Sequence, residues 1–127
     1  MSSENATKNY KELLVWKKAR GLVKIIYQLA GLFPQEERYG LISQIRRAAV
    51  SIAVNIAEGF GRNASKEFAH FASIAYGSAT EVEALLILAV DLGYIDEGKT
   101  DVALAELDEV LRMLNKLRQS LRASVAA

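Results

Sequence analysis

The stretch that decides the fold is Ser51–Phe68, "SIAVNIAEGFGRNASKEF". It begins with small and branched apolar residues at helical spacing, and it then breaks at two glycines that flank an aromatic residue. A polar, partly basic segment follows, in which Asn63 or Ser65 is suited to cap a new helix. Because Gly59 stands where a helix favours a left-handed residue and Gly61 permits a second reversal, the stretch predicts a corner between two helices.

Outside this corner, apolar residues recur at steps of three and four along nearly the whole chain, which is typical of amphipathic helices. Short links between helices of similar length force antiparallel neighbours. The predicted fold class is therefore all-α, an antiparallel up-down-up-down four-helix bundle over residues 10–122, with flexible tails at 1–9 and 123–127. The four helices are expected at Tyr10–Leu32, Gln35–Glu58, Lys66–Leu92 and from Thr100 or Asp101 to about Leu121.

The composition excludes several classes of protein. A chain of 127 residues with 51% hydrophobic and 24% charged residues can form one domain with a real core, so disorder is excluded. The absence of cysteine rules out disulfides and thiolate sites. No run reaches the roughly 18 uncharged apolar residues of a membrane span, and the polar start lacks the apolar region of a secretory signal. A cytoplasmic protein without a cofactor is expected.

The charge is unevenly distributed, although the net charge is only +1. Residues 1–66 carry 11 basic and 5 acidic side chains, whereas residues 67–127 carry 5 and 10. One interpretation is that the basic and acidic halves form complementary helix pairs, within or between subunits. The other is that the basic half presents a positive surface to RNA or DNA.

Seven basic residues are the candidates for such a nucleic-acid surface. Trp16 is interleaved with those on the first helix and could stack on an unpaired base. It also fits the apolar stripe of that helix, so burial in the core is the alternative. The candidates are Lys17, Lys18, Arg20 and Lys24 on the first helix, Arg46 and Arg47 on the second, and Arg62 at the corner.

Asn55 and Glu58 stand inside an otherwise apolar helix, three residues apart and hence on one face. Burying them without partners would cost about 1–3 kcal/mol each, so partners are expected among nearby arginines or on the third helix. We interpret the pair as a structural polar pin that fixes the register of two helices. A contact to a ligand or to RNA is the alternative.

An enzymatic or metal-binding role finds little support. Glu67 and His70 form the Glu-x-x-His step of di-iron bundles, but that site needs a second copy, and the chain has one histidine. No nucleophile elbow or phosphate loop is present. The sequence predicts a non-enzymatic protein with no catalytic or metal site; an enzyme with a pocket at the corner of the second and third helices is a weaker alternative.

The second and third helices are apolar around more of their circumference than a solitary bundle requires. An apolar second face on a monomer would favour aggregation, so such a surface usually marks a partner. Self-association with closed symmetry is therefore predicted. The residues that point away from the core stripe are Val50, Val54, Ile74, Tyr76 and Ile87.

Three motifs resemble a known family. "QIRRAAVSI", "NIAEGFGR" and "GSATEVEALL" are similar to segments of the four helix bundle proteins, also called 23S rRNA intervening-sequence proteins, and the resemblance extends over about Tyr10 to Leu121. Members usually carry a proline where this chain has Ala53, which implies a straighter second helix here. The accessory variability determinant proteins of diversity-generating retroelements look similar in fold, although that branch is more basic.

The resemblance implies a helical bundle that assembles into a ring-like homo-oligomer, most often a pentamer. It carries over no catalytic residues. Together with the basic first half, it predicts a non-enzymatic scaffold that binds RNA or a nucleoprotein and contacts no membrane. The alternative is a purely structural or protein-interaction module with no nucleic-acid role.

Overall fold

The structure, a computed structural model, describes residues 9–126 and contains no strand within that range. The all-helical prediction is confirmed. The long helices are α1 (Leu14–Ala30), α2 (Leu41–Gly61), α3 (Ser65–Asp91) and α4 (Asp101–Ala126). Short 3₁₀ turns precede three of them, at Tyr10–Glu12, Gln35–Glu37 and Glu97–Thr100.

Each helix packs against its neighbours in the chain, and α4 returns to contact α1, which closes the four-helix bundle. The buried stripe of α3 is rich in alanine, which allows the closest approach to α2 and α4. Burying the large aliphatic side chains supplies about 1.5–3 kcal/mol each. Those that are almost fully buried include Leu22, Ile26, Ile45, Ile52, Ile56, Leu86, Leu107 and Leu114.

The antiparallel arrangement gives the bundle two different ends. At the loop end, residues 31–40 join α1 to α2 and residues 92–100 join α3 to α4. At the corner end, residues 62–64 join α2 to α3, and the last turns of α4 lie beside them. Gly93, two residues after the end of α3, has a left-handed backbone with φ +76°, as is common just beyond the end of a helix.

The start of the second helix differs from the prediction. Residues Gln35–Glu37 form a separate 3₁₀ turn, and α2 begins only at Leu41. The reason is a cap from outside the helix, because the Glu37 carboxylate accepts a hydrogen bond of 3.0 Å from the Leu41 backbone N–H. Beyond this start, α2 runs as one uninterrupted helix through Ala53.

The predicted geometry of the corner is wrong in its details. Helix α2 continues through both glycines, and neither has a positive φ. The left-handed residue is instead Asn63, with φ 56°, a conformation that asparagine tolerates better than most residues. Ala64 occupies the N-cap position of α3 without a side-chain hydrogen bond, so neither Asn63 nor Ser65 caps that helix.

Gly59 is required for close packing rather than for a turn. It is buried, and a Cβ atom at this position would lie 2.8 Å from both Phe68 Cδ1 and Phe71 Cβ. At Gly61, by contrast, an added Cβ would meet no atom within 4 Å. The absence of a side chain at Gly59 therefore lets the first turns of α3 approach the last turn of α2.

The inward face of α3 is rotated relative to the one that its apolar spacing predicts. The predicted face consists of Phe68, Phe71, Ala75, Ser78, Val82, Leu85, Ala89 and Leu92. Phe68, Phe71 and Ser78 are only half-buried and Leu92 is 58% exposed, whereas alanines and Leu86 fill the core positions. The rotation follows from the position of α3, which packs against α2 on one side and α4 on the other. The expected inward positions Ala75, Val82, Leu85 and Ala89 are buried.

The ends of the chain differ partly from the prediction. Helix α4 continues to Ala126, so most of the predicted flexible tail at 123–127 is helical. The predicted tail at 1–9 lies, apart from Asn9, outside the described residues. Among residues 9–126, α3 alone is long and apolar enough to span a membrane by length and composition. Core helices of soluble proteins pass the same criterion, and the chain has the architecture of a soluble helical domain.

Candidate nucleic-acid interface

The solvent-facing side of α1 carries three of the predicted basic residues. Lys17, Arg20 and Lys24 follow one another at steps of three and four, so they lie on one face of the helix. All three are exposed, and none forms an ion pair within residues 9–126. This α1 basic face therefore presents positive charge that no carboxylate of the described chain neutralises.

A shallow apolar groove between α1 and α2 adjoins the α1 basic face. Val54 is 56% exposed there. Arg20 and Lys24 line the rim, and none of the lining residues is acidic. The apolar floor is formed by Trp16, Val23, Val50, Ala53 and Val54.

Trp16 occupies an intermediate position between its two predicted fates. It is half-buried and packs against the core, while part of its ring remains accessible in the groove. The Arg20 guanidinium lies 5.6 Å from the ring centre, and the Tyr10 ring meets it edge-on at 5.0 Å. These contacts fix the indole beside two exposed cations, where an aromatic surface could stack on a base.

Lys18 is not available to a ligand in the same way. Its ammonium lies 3.3 Å from a carboxylate oxygen of Glu109 and 4.0 Å from one of Glu106, both on α4. This contact joins the basic and acidic halves of the sequence within one chain. Lys18 is thus directed towards α4 and away from the α1 basic face.

The three remaining arginines lie apart from the groove. Arg46 is half-buried; it donates a hydrogen bond of 2.9 Å to the Tyr27 carbonyl and lies 4.8 Å from the Tyr27 ring, which ties the last turn of α1 to α2. Arg47 is exposed in a cleft on the α2–α3 side, whose lining also includes Glu81. Arg62 lies at the corner end. The structure therefore brings together only part of the predicted set.

Asn55 and Glu58 do not form one polar unit. Asn55 is half-buried and donates to the Ser51 carbonyl at 2.8 Å and to its hydroxyl at 3.0 Å. Glu58 is exposed and pairs with Arg62 at 3.6 Å, one turn along the same helix. The interhelix contact is made instead by the hydroxyls of Ser51 and Ser78, 2.8 Å apart.

This pair of serines was missed by sequence reasoning. Each serine is flanked by small or apolar residues, in the motifs "AAVSI" and "YGSAT". A hydroxyl among such residues in a core-facing helix needs a hydrogen-bond partner, and this need was the signal that could have identified the pair. Asn55 holds Ser51 in position, and Ser51 contacts α3. One polar link between α2 and α3 therefore runs through Ser51, and a second is the hydrogen bond of 3.3 Å that Gln44 donates to Glu81.

Glu37 and Tyr94 form a second unpredicted polar contact, at the loop end. The Tyr94 hydroxyl donates to Glu37 at 2.9 Å, and the same carboxylate accepts from the Leu41 N–H. These hydrogen bonds, that from Leu41 first, lower the pKa of Glu37, because they favour its charged form. The hydrogen bond to Glu37 in turn raises the pKa of Tyr94.

An open cavity lies at the corner end, where the sequence analysis placed its enzymatic alternative. It is lined by basic residues and His70, with Glu67 as the acidic member. Asn55 and Glu58 are not part of its lining. Within residues 9–126, no cluster of three or more histidines, aspartates or glutamates could hold a metal ion. The Glu67–His70 step therefore has no further ligand to complete a metal site there.

Comparison with known proteins agrees with this architecture. One similar solved structure is a protein of unknown function from the S23 ribosomal protein family of Bacteroides thetaiotaomicron, with a TM-score of 0.76 and 24% identity. The alignment covers 83% of this chain and 98% of that protein, so the fold is shared. A search of curated proteins gave no match. The sequence profile described as 23S rRNA-intervening sequence protein matches residues 11–116. Because this match spans most of the chain, the protein belongs to the 23S rRNA-intervening sequence protein family.

Proposed function

We propose that the protein is a non-enzymatic, oligomeric scaffold that binds RNA, alone or within a nucleoprotein, through the α1 basic face. The observation that carries this proposal is the exposure of Lys17, Arg20 and Lys24 without carboxylate partners in the described chain. Charges of this kind bind phosphates by releasing counterions.

The proposal narrows the set of binding residues. Lys18 is paired with α4, and Arg46 holds α1 to α2, so both serve the fold. Arg47 lies on the flank of α2, next to Glu81. Arg62 lies at the corner end and pairs with Glu58. Lys17, Arg20 and Lys24 therefore remain as three contacts per protomer, which would give a modest dependence of the binding constant on salt for one chain.

Assembly would multiply this charge, and exposed apolar side chains support assembly. Val50, Val54, Ile74 and Ile87, which were predicted to point away from the core, are 36%, 56%, 39% and 51% exposed, while Tyr76 is half-buried. Apolar surface of this kind favours a partner, and a second copy is the partner that is always present. A ring-like homo-oligomer, with the pentamer that the family resemblance implies, would repeat the α1 basic face around its axis.

The proposal is tested by RNA binding to a charge-removal variant. We expect the triple variant Lys17→Gln, Arg20→Gln, Lys24→Gln to lose most of its affinity for single-stranded RNA, measured by fluorescence anisotropy at several salt concentrations. For each phosphate contact removed, the slope of log K against log salt should fall by about 0.7.

A matched control removes the same charge elsewhere. Lys99, Arg112 and Lys116 are exposed and lie in the acidic half, so their replacement by glutamine should leave RNA affinity nearly unchanged. Absence of binding by the native protein at micromolar concentration and low salt would overturn the proposal. Equal loss in both triple variants would show that only net charge matters.

A purely structural or protein-interaction module is the second candidate. It is favoured by the Lys18 contacts, which show basic and acidic helices pairing within one chain, and by the exposed apolar residues. Light scattering after size-exclusion chromatography separates the two. Val54→Lys or Leu88→Lys should dissociate an oligomer built on the face concerned. An oligomer that binds no RNA would support this candidate instead.

A further inference from the structure

The cavity at the corner end, defined above, has a volume of about 690 Å³ and is open to solvent. Its walls come from three elements that are distant in sequence: Arg62 after the last turn of α2, Lys66 and His70 in the first turns of α3, and Arg122 near the end of α4. Glu67 also lines it. The fold thus brings three permanent positive charges to one concave surface.

The approach of α2 to α3 builds one wall of the cavity. The close packing at Gly59 holds Phe71 beside the last turn of α2, and the Arg62 guanidinium lies 5.0 Å from the Phe71 ring centre. Arg62 also contacts Glu58 at 3.6 Å on its outer side. The arginine is therefore oriented by a ring and a carboxylate, while Phe71 itself lines the cavity.

The other two cations are less constrained. Lys66 is exposed and forms no ion pair within residues 9–126. Arg122 contacts the Ser73 hydroxyl at 3.4 Å, which is longer than a good hydrogen bond. Its guanidinium has no carboxylate partner in the described chain, so both groups can turn towards an anion without breaking a strong contact.

We propose that this cavity binds a phosphate group, free or esterified. Arginine presents a planar set of donors that suits phosphate oxygens, and a lysine and a hydroxyl add donors beside it. The volume falls within the range of sites that hold nucleotide-sized organic ligands, so the ester of a small molecule also fits. The site is built from α2, α3 and α4, and it stands independently of the α1 basic face.

His70 provides a direct probe, because it is the single histidine of the chain and lines the cavity. Its ring proton signals can be followed by NMR while inorganic phosphate is added at constant pH and ionic strength, with chloride replacing phosphate as the anion in the reference titration. A parallel titration uses adenosine 5′-monophosphate, with adenosine as the phosphate-free control. We expect saturable shifts with one or both phosphate compounds and none with adenosine.

Variants locate the site. Arg122→Ala and Lys66→Ala should each weaken phosphate binding at least about tenfold, as expected for a lost charge-assisted hydrogen bond. Arg112→Ala removes an exposed arginine from the same helix as Arg122, outside the cavity lining, and should change the dissociation constant by less than about twofold. Thermal melting of each variant by circular dichroism checks that the fold is intact.

Several outcomes would overturn the proposal. These are no saturable His70 shift below about 10 mM of either phosphate compound, an equal shift with adenosine, or equal weakening by Arg112→Ala. A response to the ester alone supports the proposal and identifies the organic phosphate as the source. The Lys17, Arg20, Lys24 triple variant should retain phosphate binding, so loss of RNA affinity in that variant leaves this site standing.

Discussion

The two ends of the bundle differ in whether their charged side chains have partners within the chain. At the loop end, the Glu37 carboxylate receives the Leu41 N–H and the Tyr94 hydroxyl, so a single acid joins both loops. At the corner end, Lys66 and Arg122 converge with no carboxylate partner in the described chain. At the loop end the charged group accepts hydrogen bonds that hold the fold together, whereas at the corner end the two cations remain available to bind an anion.

This difference shows how a small bundle can separate stability from binding. The loop end also buries Phe33 and Ile95, and the Phe33 and Tyr94 rings lie 6.3 Å apart, so two long connections are held together. The corner end needs only three linking residues, and its exposed donors can bond to water, so they carry no penalty for lacking a protein partner. A ligand site at the corner end therefore does not compete with the contacts that fix the loops.

The largest expected effect comes from breaking the close approach at the corner end. Gly59→Ala should destabilise the protein by about 1–3 kcal/mol, because the new methyl group would overlap Phe68 and Phe71. This cost exceeds the gain of about 0.5–1 kcal/mol that alanine brings to a helix. Urea denaturation followed by circular dichroism measures the change in the free energy of unfolding.

Gly61→Ala is the matched control for this prediction. It makes the same chemical change two residues later in α2, where no atom lies within 4 Å of the new Cβ. We expect an unchanged or slightly higher free energy of unfolding for this variant. Equal destabilisation by the two substitutions would mean that the glycines serve the turn rather than the packing of α2 against α3.

The second prediction concerns the left-handed residue of the same corner. Asn63→Ala should destabilise by about 1–2 kcal/mol, because alanine pays the full steric cost of a positive φ. Asn63→Gly should be neutral or mildly stabilising, since glycine adopts this conformation readily. The free energies of unfolding of both variants, measured as for Gly59, should therefore change in opposite directions or by clearly different amounts.

These two positions show why the corner was only partly predictable from sequence. The motif "EGFGRN" identified the place of the turn correctly, and apolar periodicity identified all four helices. Which residue adopts the left-handed conformation depends on what lies across the helix interface. Gly59 packs against Phe68 and Phe71 within α2, and the left-handed residue is Asn63, four positions later. Local propensity could not predict this, because it carries no information about the residues that face Gly59 across the helix interface.

The candidate site was predictable to a smaller degree, for a similar reason. The sequence analysis named Lys17, Lys18, Arg20 and Lys24 together as basic residues of the first helix. It could not show that Lys18 forms ion pairs, because its partners Glu106 and Glu109 are about 90 residues away in the sequence. The corner cavity depends on still longer-range contacts, because its cations come from three helices or their ends.

The third prediction sharpens the comparison between satisfied and exposed polar groups on one helix. Asn55→Ala should destabilise by about 0.5–1.5 kcal/mol, because the amide orders Ser51, whose hydroxyl contacts Ser78 on α3. Glu58→Ala should change the free energy of unfolding by less than about 0.5 kcal/mol, since its pair with Arg62 is exposed. Chemical denaturation of Asn55→Ala and Glu58→Ala compares their free energies of unfolding. The same measurement on Ser51→Ala and on the double variant Ser51→Ala, Asn55→Ala gives the coupling between Ser51 and Asn55.

A larger loss of unfolding free energy for Glu58→Ala than for Asn55→Ala would contradict this ranking. It would support the predicted role of the two residues as a polar pin. Additive effects of Ser51→Ala and Asn55→Ala would show that the amide does not act through the serine. Glu58→Ala also frees Arg62, so it should strengthen phosphate binding at the corner end if the cavity site exists. That second measurement separates the stability of α2 from the function of the corner.

The smallest change is expected at the loop end, where Glu37→Gln keeps an oxygen acceptor but loses the charge. The lowered pKa of Glu37 means that its contribution to stability is present above the ordinary carboxyl pKa of 4.5 and is lost as pH falls through the lowered value. On acidification from about pH 6 to pH 3, the melting temperature of the native protein should therefore fall further than that of Glu37→Gln.

Glu36→Gln, an exposed neighbour, should follow the native curve. Tyr94→Phe removes one of the two donors to Glu37, so its curve should lie between those of the native protein and Glu37→Gln. Identical acid dependence in the native protein and Glu37→Gln would mean that the loop end is held by its apolar contacts alone, and the contrast between the two ends would then rest only on the cations of the corner.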